Sequence, residues 1–240
     1  ATDEAAGKAA ADELMQALWA SRHQTQLEFA RPEEAMALAL QGRAGDRPLV
    51  LADFADNPAG GAYGDSPNLL RAMLEAGLGN AAFATISDPE SVAACQRAGE
   101  GATVHLQLGG KDAPELTPPL DIEAEVMRLA AGEYVCAGPM WQGVRFSMGP
   151  TAVVRAGGID ILVSSVPTAV MDLNVFRSVG IDPEQLTTIG LKSRNHFKAA
   201  YGPIARDTLL VDAGGIASMR LQELSYSRIP RPIWPLDGEA

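Results

Sequence analysis

The chain has 240 residues and carries no apolar run long enough to cross a bilayer, which takes about 20 residues of helix. It has little positive charge: 19 Lys and Arg against 30 Asp and Glu give a net charge of −11, spread along the chain. Nucleic-acid binding needs a basic face, and an anionic membrane surface needs a basic cluster, so both are excluded as partners. Only two cysteines are present, Cys95 and Cys136, each in apolar surroundings. That points to buried thiols in a reduced, cytoplasmic protein, with a single disulfide left open. With three histidines and no His-x-x-x-His or Cys-x-x-Cys pair, the chain is a poor candidate for a complete zinc site. A hard-metal site built on carboxylates stays open. The Gly-x-Ser-x-Gly elbow and the Gly-x-x-x-x-Gly-Lys-Ser/Thr loop are both missing, and the polar start Ala1 to Lys8 has no signal-peptide pattern.

What is there begins with the apolar run Pro48 to Ala52, a buried strand that empties into a loop from Asp53 to Ser66. The loop holds Asp53, Asp56, Asn57, Asp65 and the glycines Gly60, Gly61 and Gly64. A strand, a glycine-rich acidic loop and a helix start form the place where α/β proteins put binding and catalytic groups. The same residues would also serve a tight turn followed by a helix capped by Asp65 or Ser66, with Pro67 in its first turn.

Periodicity predicts helices over 3–24, 32–43, 67–77 and 88–99, with strands at 48–53 and 80–87 between them. This alternation is the signature of a mainly parallel sheet flanked by helices. From about 102 to 157, short runs alternate apolar and polar residues between Gly and Pro, which predicts an antiparallel β insertion or subdomain. A helix at 122–130 is the weaker alternative. The α/β pattern resumes with strands at 159–165, 187–193 and 208–212 and helices at 172–180 and 195–204. The tail from Arg228 carries Pro230, Pro232 and Pro235 and cannot be helical, so it should lie extended over the surface or against a partner.

A second constellation is Lys192-Ser193-Arg194-Asn195-His196, where a strand again hands over to a helix. A cation, a hydroxyl and an imidazole at one strand end could hold an anionic group or shuttle a proton. Equally, Ser193 or Asn195 could cap the helix while His196 faces solvent. His105 and His23 read as structural.

Several motifs then occur in order. Ala52-Asp53-x-x-Asp56-Asn57-Pro58-x-Gly60-Gly61 is followed by Gly64-Asp65-Ser66, Leu108-Gly-Gly-Lys111 and Met148-Gly-Pro-Thr-Ala-Val-Val154. Val179-Gly-Ile-Asp-Pro183, Leu191-Lys-Ser-x-x-His196-Phe197 and Arg231-Pro-Ile-Trp-Pro-Leu-Asp237 complete the series. Together they resemble the C-terminal domain of the MlrC, or microcystin-degradation, family of bacterial zinc metallopeptidases, over nearly the whole chain. The resemblance implies one α/β domain over 1–240, with the family's N-terminal, zinc-carrying half absent from this chain. It implies a part of a zinc-dependent hydrolase acting on peptides or small amides, inactive alone, whose partner is that N-terminal metallopeptidase domain. Self-association into a homo-oligomer stays open.

The positions matching the family's motifs are Asp56, Asn57, Gly60, Gly61, Asp65, Lys192, Ser193 and His196. Their expected roles are catalytic for His196, Lys192 and Asp56, and substrate-binding for Asn57, Gly60, Gly61, Asp65 and Ser193, with no metal ligand among them. Ala59 stands where relatives commonly have a third glycine, Val166-Pro-Thr-Ala169 replaces a more polar stretch, and Asp212-Ala-Gly-Gly215 replaces a common Pro-Gly. These departures bear on substrate contacts rather than on the fold. Two alternatives to the hydrolase part remain: a non-catalytic small-molecule binding or assembly module, and a complete carboxylate-metal enzyme within these residues.

Overall fold

The structure is a computed structural model and describes residues 3–24, 28–43 and 45–238. Ten strands are described: β1 Leu49–Asp53, β2 Ala81–Ser87, β3 Thr103–Leu108, β4 Leu120–Ala130, β5 Glu133–Val135, β6 Arg145–Ser147, β7 Thr151–Ala156, β8 Ile159–Ser164, β9 Thr188–Lys192 and β10 Asp207–Val211. Eight of them form one sheet in the order β10-β1-β9-β2-β8-β7-β4-β3. The first five run parallel, and β7, β4 and β3 continue the sheet antiparallel. The fold is α/β, as the alternation predicted. The antiparallel strands of 102–157 extend the main sheet, and only β5 and β6 form a separate two-stranded hairpin. Their alternating pattern reports one wet face, which a shared sheet and a subdomain both produce.

The parallel strands are buried on both faces, which is why β1 reads Leu-Val-Leu-Ala-Asp with no alternation and no exposed position. β4 sits beside edge strand β3 and alternates buried with exposed residues, so the strand prevails over the helical alternative. One face of the sheet packs against α2 Pro32–Ala39, α3 Asn68–Glu75 and α4 Pro89–Ala98, through Ala35, Leu69, Leu70, Met73, Val92 and Cys95. The other packs against the β5–β6 hairpin and the short helices α5 Asn174–Arg177 and α6 Lys198–Tyr201, through Tyr134, Val175, Phe176, Phe197 and Tyr201. Cys95 belongs to the first core and Cys136 to the second, and both are free thiols.

Helices α5 and α6 are shorter than the sequence predicted, because most of each segment is spent in turns that carry the chain on and off the sheet. Helix α1, Glu4–Ala20, has Asp3 as its cap and buries no side chain. Leu14, Met15, Leu18 and Trp19 are all more than half exposed. No described helix is long and apolar enough to cross a membrane. The segment before α2 lies along the free edge of β10, where Ala30 N–H donates to the Leu210 carbonyl at 2.8 Å and Asp212 N–H to the Ala30 carbonyl at 3.1 Å. In the tail, Trp234 meets His23 edge-on at 6.0 Å.

Gly190 in β9 shows how tightly the centre is filled. A Cβ there would lie 2.4 Å from the Phe83 ring and 2.8 Å from Met73 Sδ. Gly190→Ala should therefore lower stability by about 1–3 kcal/mol in urea unfolding. Gly79→Ala, at a position with open space around it, should shift stability by less than about 0.5 kcal/mol. Equal effects at the two positions would contradict this packing.

Candidate functional site

The carboxyl ends of β10, β1, β9 and β2 point to the same edge of the sheet, where open parallel sheets bind their ligands. Strand register sets Asp53 directly opposite Lys192. Lys192 is fully buried. Its ammonium lies 3.0 Å from Asp53 Oδ2 and 2.8 Å from Asp56 Oδ2, and donates to the Ser66 carbonyl at 2.7 Å. The Phe83 ring is 5.6 Å away and adds a cation–π contact. All three ammonium protons thus have oxygen partners, as burial of the charge demands.

Asp56 does two further things. Its Oδ1 accepts the Gly64 N–H at 3.0 Å and its Oδ2 the Ser66 N–H at 2.7 Å. The acidic loop is therefore wound around the Asp56 carboxylate, and Lys192 anchors that carboxylate to the sheet. Asn57 caps a 3-10 turn at Pro58–Gly60, accepting the Ala59 N–H at 3.2 Å, and Gly61 closes the turn at φ +90°. Gly60 and Gly61 are exposed at the loop tip.

Asp65 faces the other way. Its Oδ2 accepts the N–H groups of Lys111 and Asp112 at 2.7 and 3.0 Å, and its carbonyl accepts that of Gly110 at 2.8 Å. At Gly109 a Cβ would lie 2.1 Å from the Asp65 carbonyl oxygen. The Gly-Gly-Lys segment is thereby locked onto the acidic loop, and Lys111 Nζ carries the tie onward to Asp88 and Glu90, each at 2.8 Å.

Burial sets the protonation of these groups. It pushes Asp53 up to about 6, against the pull of Lys192 and helped by Asp56 and Asp212. It also raises Asp65, partly offset by the two backbone N–H groups it accepts. For Lys192 burial favours loss of the proton, but Asp53 and Asp56 outweigh it, so its pKa lies above the ordinary lysine value.

Of the residues singled out in the sequence, Lys192, Asp56 and Asp65 are joined through Asp53 and the 64–66 backbone, and Ser193 is buried next to them in the chain. His196 is exposed in the turn before α6 and shares no described hydrogen bond with that group. The structure also assembles residues that sequence reading did not select. A pocket of about 560 Å³ opens beside the anchored loop, lined among others by Phe29, Arg31, Arg194, Asp212, Arg220 and Trp234. Arg194 stacks on Phe54 at 4.6 Å, in the motif already singled out around Lys192, and was the residue closest to being found.

A resident metal does not fit these donors. Among the described residues no three of His, Cys, Asp and Glu gather into a site. Among the described residues, the one buried carboxylate oxygen without a hydrogen-bond partner, Asp53 Oδ1, belongs to a cluster whose cation is already Lys192.

Residues 51–228 match the family model described as the MlrC C-terminus. The chain belongs to the MlrC C-terminal family. It is 30% identical over 225 residues to Microcystinase C of Sphingomonas sp., covering 88% of this chain and 43% of that protein. A crystal structure of a candidate metallopeptidase from Mesorhizobium sp. BNC1 superposes with a TM-score of 0.83 at 28% identity, over 94% of this chain and 44% of the other. The MlrC-type chain thus spans less than half the length of these relatives.

Replacing Lys192 by Met leaves two buried carboxylates uncompensated and should cost about 3–5 kcal/mol in urea unfolding. A loss below 1 kcal/mol would show that the ion cluster does not hold the loop. Asp53 gives a pH test. Its pKa is higher in the fold than the ordinary 3.8, so its stabilising contribution is present below that value and lost as the pH rises to about 6. Across that window the stability of the native chain should fall relative to Asp53→Asn. Parallel curves would contradict the raised pKa.

Proposed function

We propose that the chain is the C-terminal domain of a zinc-dependent metallopeptidase or amide hydrolase that acts on peptides or small amides. In this reading it completes the cleft beside a domain that carries the zinc, and the protein works in the cytoplasm. The observation that carries the reading is the match, over 94% of the chain, to less than half of a candidate metallopeptidase. Two features support the division of labour: the ligand-poor donor set, and the exposed apolar residues Leu14, Met15, Leu18 and Trp19 of α1, a face suited to burial against another domain.

Asp56 and Lys192 act through the loop they hold, fixing where its tip stands. Gly60 and Gly61 leave that tip exposed and free of side chains, so a substrate can approach the loop backbone closely, while their own N–H groups close the turn on the Asn57 and Pro58 carbonyls. Asn57 and Asp65 set the tip's two flanks, and Ser193 sits at the strand end beneath them. His196 is solvent-facing, free to carry a proton at the mouth of the cleft.

The test joins this chain to a zinc-carrying domain and measures turnover of short peptides blocked at both ends. His196→Ala should lower kcat by about 10²-fold with an unchanged melting temperature, because the side chain is exposed. Undiminished turnover would remove His196 from the mechanism. No turnover of any peptide or amide by the joined protein would instead favour a binding or assembly module.

A further inference from the structure

From the pocket beside the anchored loop we infer that this domain carries a recognition site for a carboxylate borne by a ligand with an apolar side chain. That the ligand is a peptide acid rests on the hydrolase reading above; the pocket's chemistry does not. Three arginines, Arg31, Arg194 and Arg220, line one cavity of about 560 Å³ in a chain whose net charge is −11. The local charge therefore runs against the charge of the protein, which favours anions entering here over the surrounding surface.

The three guanidinium groups are brought together by different segments. Arg31 precedes α2 on the strip that runs along β10, Arg194 follows β9, and Arg220 follows the turn after β10. Two of them are held in place. The Arg194 guanidinium lies over the Phe54 ring at 4.6 Å, and Phe54 in turn packs on Phe29 at 4.7 Å. Arg220 is braced by Glu223 at 3.1 Å and by Asp212 at 3.7 Å, and Asp212 is itself fixed by the Gly214 and Met219 N–H groups and the Ser218 hydroxyl.

Arg220 Nε is buried, makes no hydrogen bond and meets Asp212 Oδ1 only at ion-pair distance, 3.7 Å, so this side chain is held in the wall and the two other arginines face the ligand. Among the described residues, Arg31 and Arg194 form no ion pair, so their charge is available to a ligand. Asp212, paired with Arg220, and Gln222 are the other polar members of the wall, and the remainder is apolar, with Phe29, Met219, Leu221 and Trp234 the largest side chains. A fork of planar cations over an aromatic and aliphatic floor matches a carboxylate with a hydrophobic side chain next to it, and the volume suits a di- or tripeptide.

The probe is N-acetyl-phenylalanyl-alanine as the free acid, titrated calorimetrically into the full chain and compared with its C-terminal amide. The acid should bind at least about tenfold more tightly than the amide, and Arg194→Met and Arg31→Met should each remove most of that preference while leaving the melting temperature unchanged. Equal binding of acid and amide, no binding of either, or an unaltered preference in both variants would overturn the inference. Tight binding of inorganic phosphate with none of the peptide acid would overturn the carboxylate assignment in favour of a phosphate group. Because the turnover test uses peptides blocked at both ends, failure here and failure of the hydrolase reading are separate results.

Discussion

A single buried ammonium organises the working edge of this domain. Lys192 reaches two carboxylates and a carbonyl, from β1 and from both ends of the loop that leads from it to α3. Removing such a charge from water costs several kcal/mol, which only a full set of oxygen partners offsets. The loop therefore has one arrangement that satisfies Lys192 and many that do not. Gly190, two residues earlier, supplies the space for Phe83, whose ring lies beneath the ammonium. Packing and electrostatics at this point depend on each other.

Rigidity spreads from there by hydrogen bonds rather than by apolar contact. Asp56 gathers the 64–66 backbone, Asp65 gathers the 110–112 backbone, and Lys111 ties that segment to the cap of α4. Three acidic side chains thus spend their charge on N–H groups and lysines within the fold. The arginines across the edge are different, because their charge is only partly consumed, and this contrast separates the part of the edge that holds shape from the part that can hold a ligand.

Much of the fold was legible in the sequence, and for physical reasons. Strands buried on both faces need unbroken apolar runs, so Leu49 to Ala52 and Ile161 to Val163 stand out. Caps such as Asp88 before Pro89 mark helix starts. What the alternating pattern of 103–156 could not reveal is which sheet the strands join, since exposure on one face looks the same in either place. The ends of α5 and α6 were overextended because apolar residues in consecutive turns can mimic helical spacing. At the site, the acidic loop and the Lys192 motif were visible as neighbours of strand ends, but their pairing spans 139 residues of sequence and appears only in the register of β1 against β9. The arginine pocket was not legible at all as a unit. Its wall comes from five separated stretches of chain, and each arginine alone resembles an ordinary surface residue.

Lys192, and not a metal, is the cation for Asp53 and Asp56, and the zinc of the proposed hydrolase would be held elsewhere. A calorimetric titration of zinc into this chain, against a chelated reference, tests that most directly. No tight binding should be found. Tight uptake of one zinc, abolished by Asp56→Asn or His196→Ala, would contradict the account and place the metal centre within these residues.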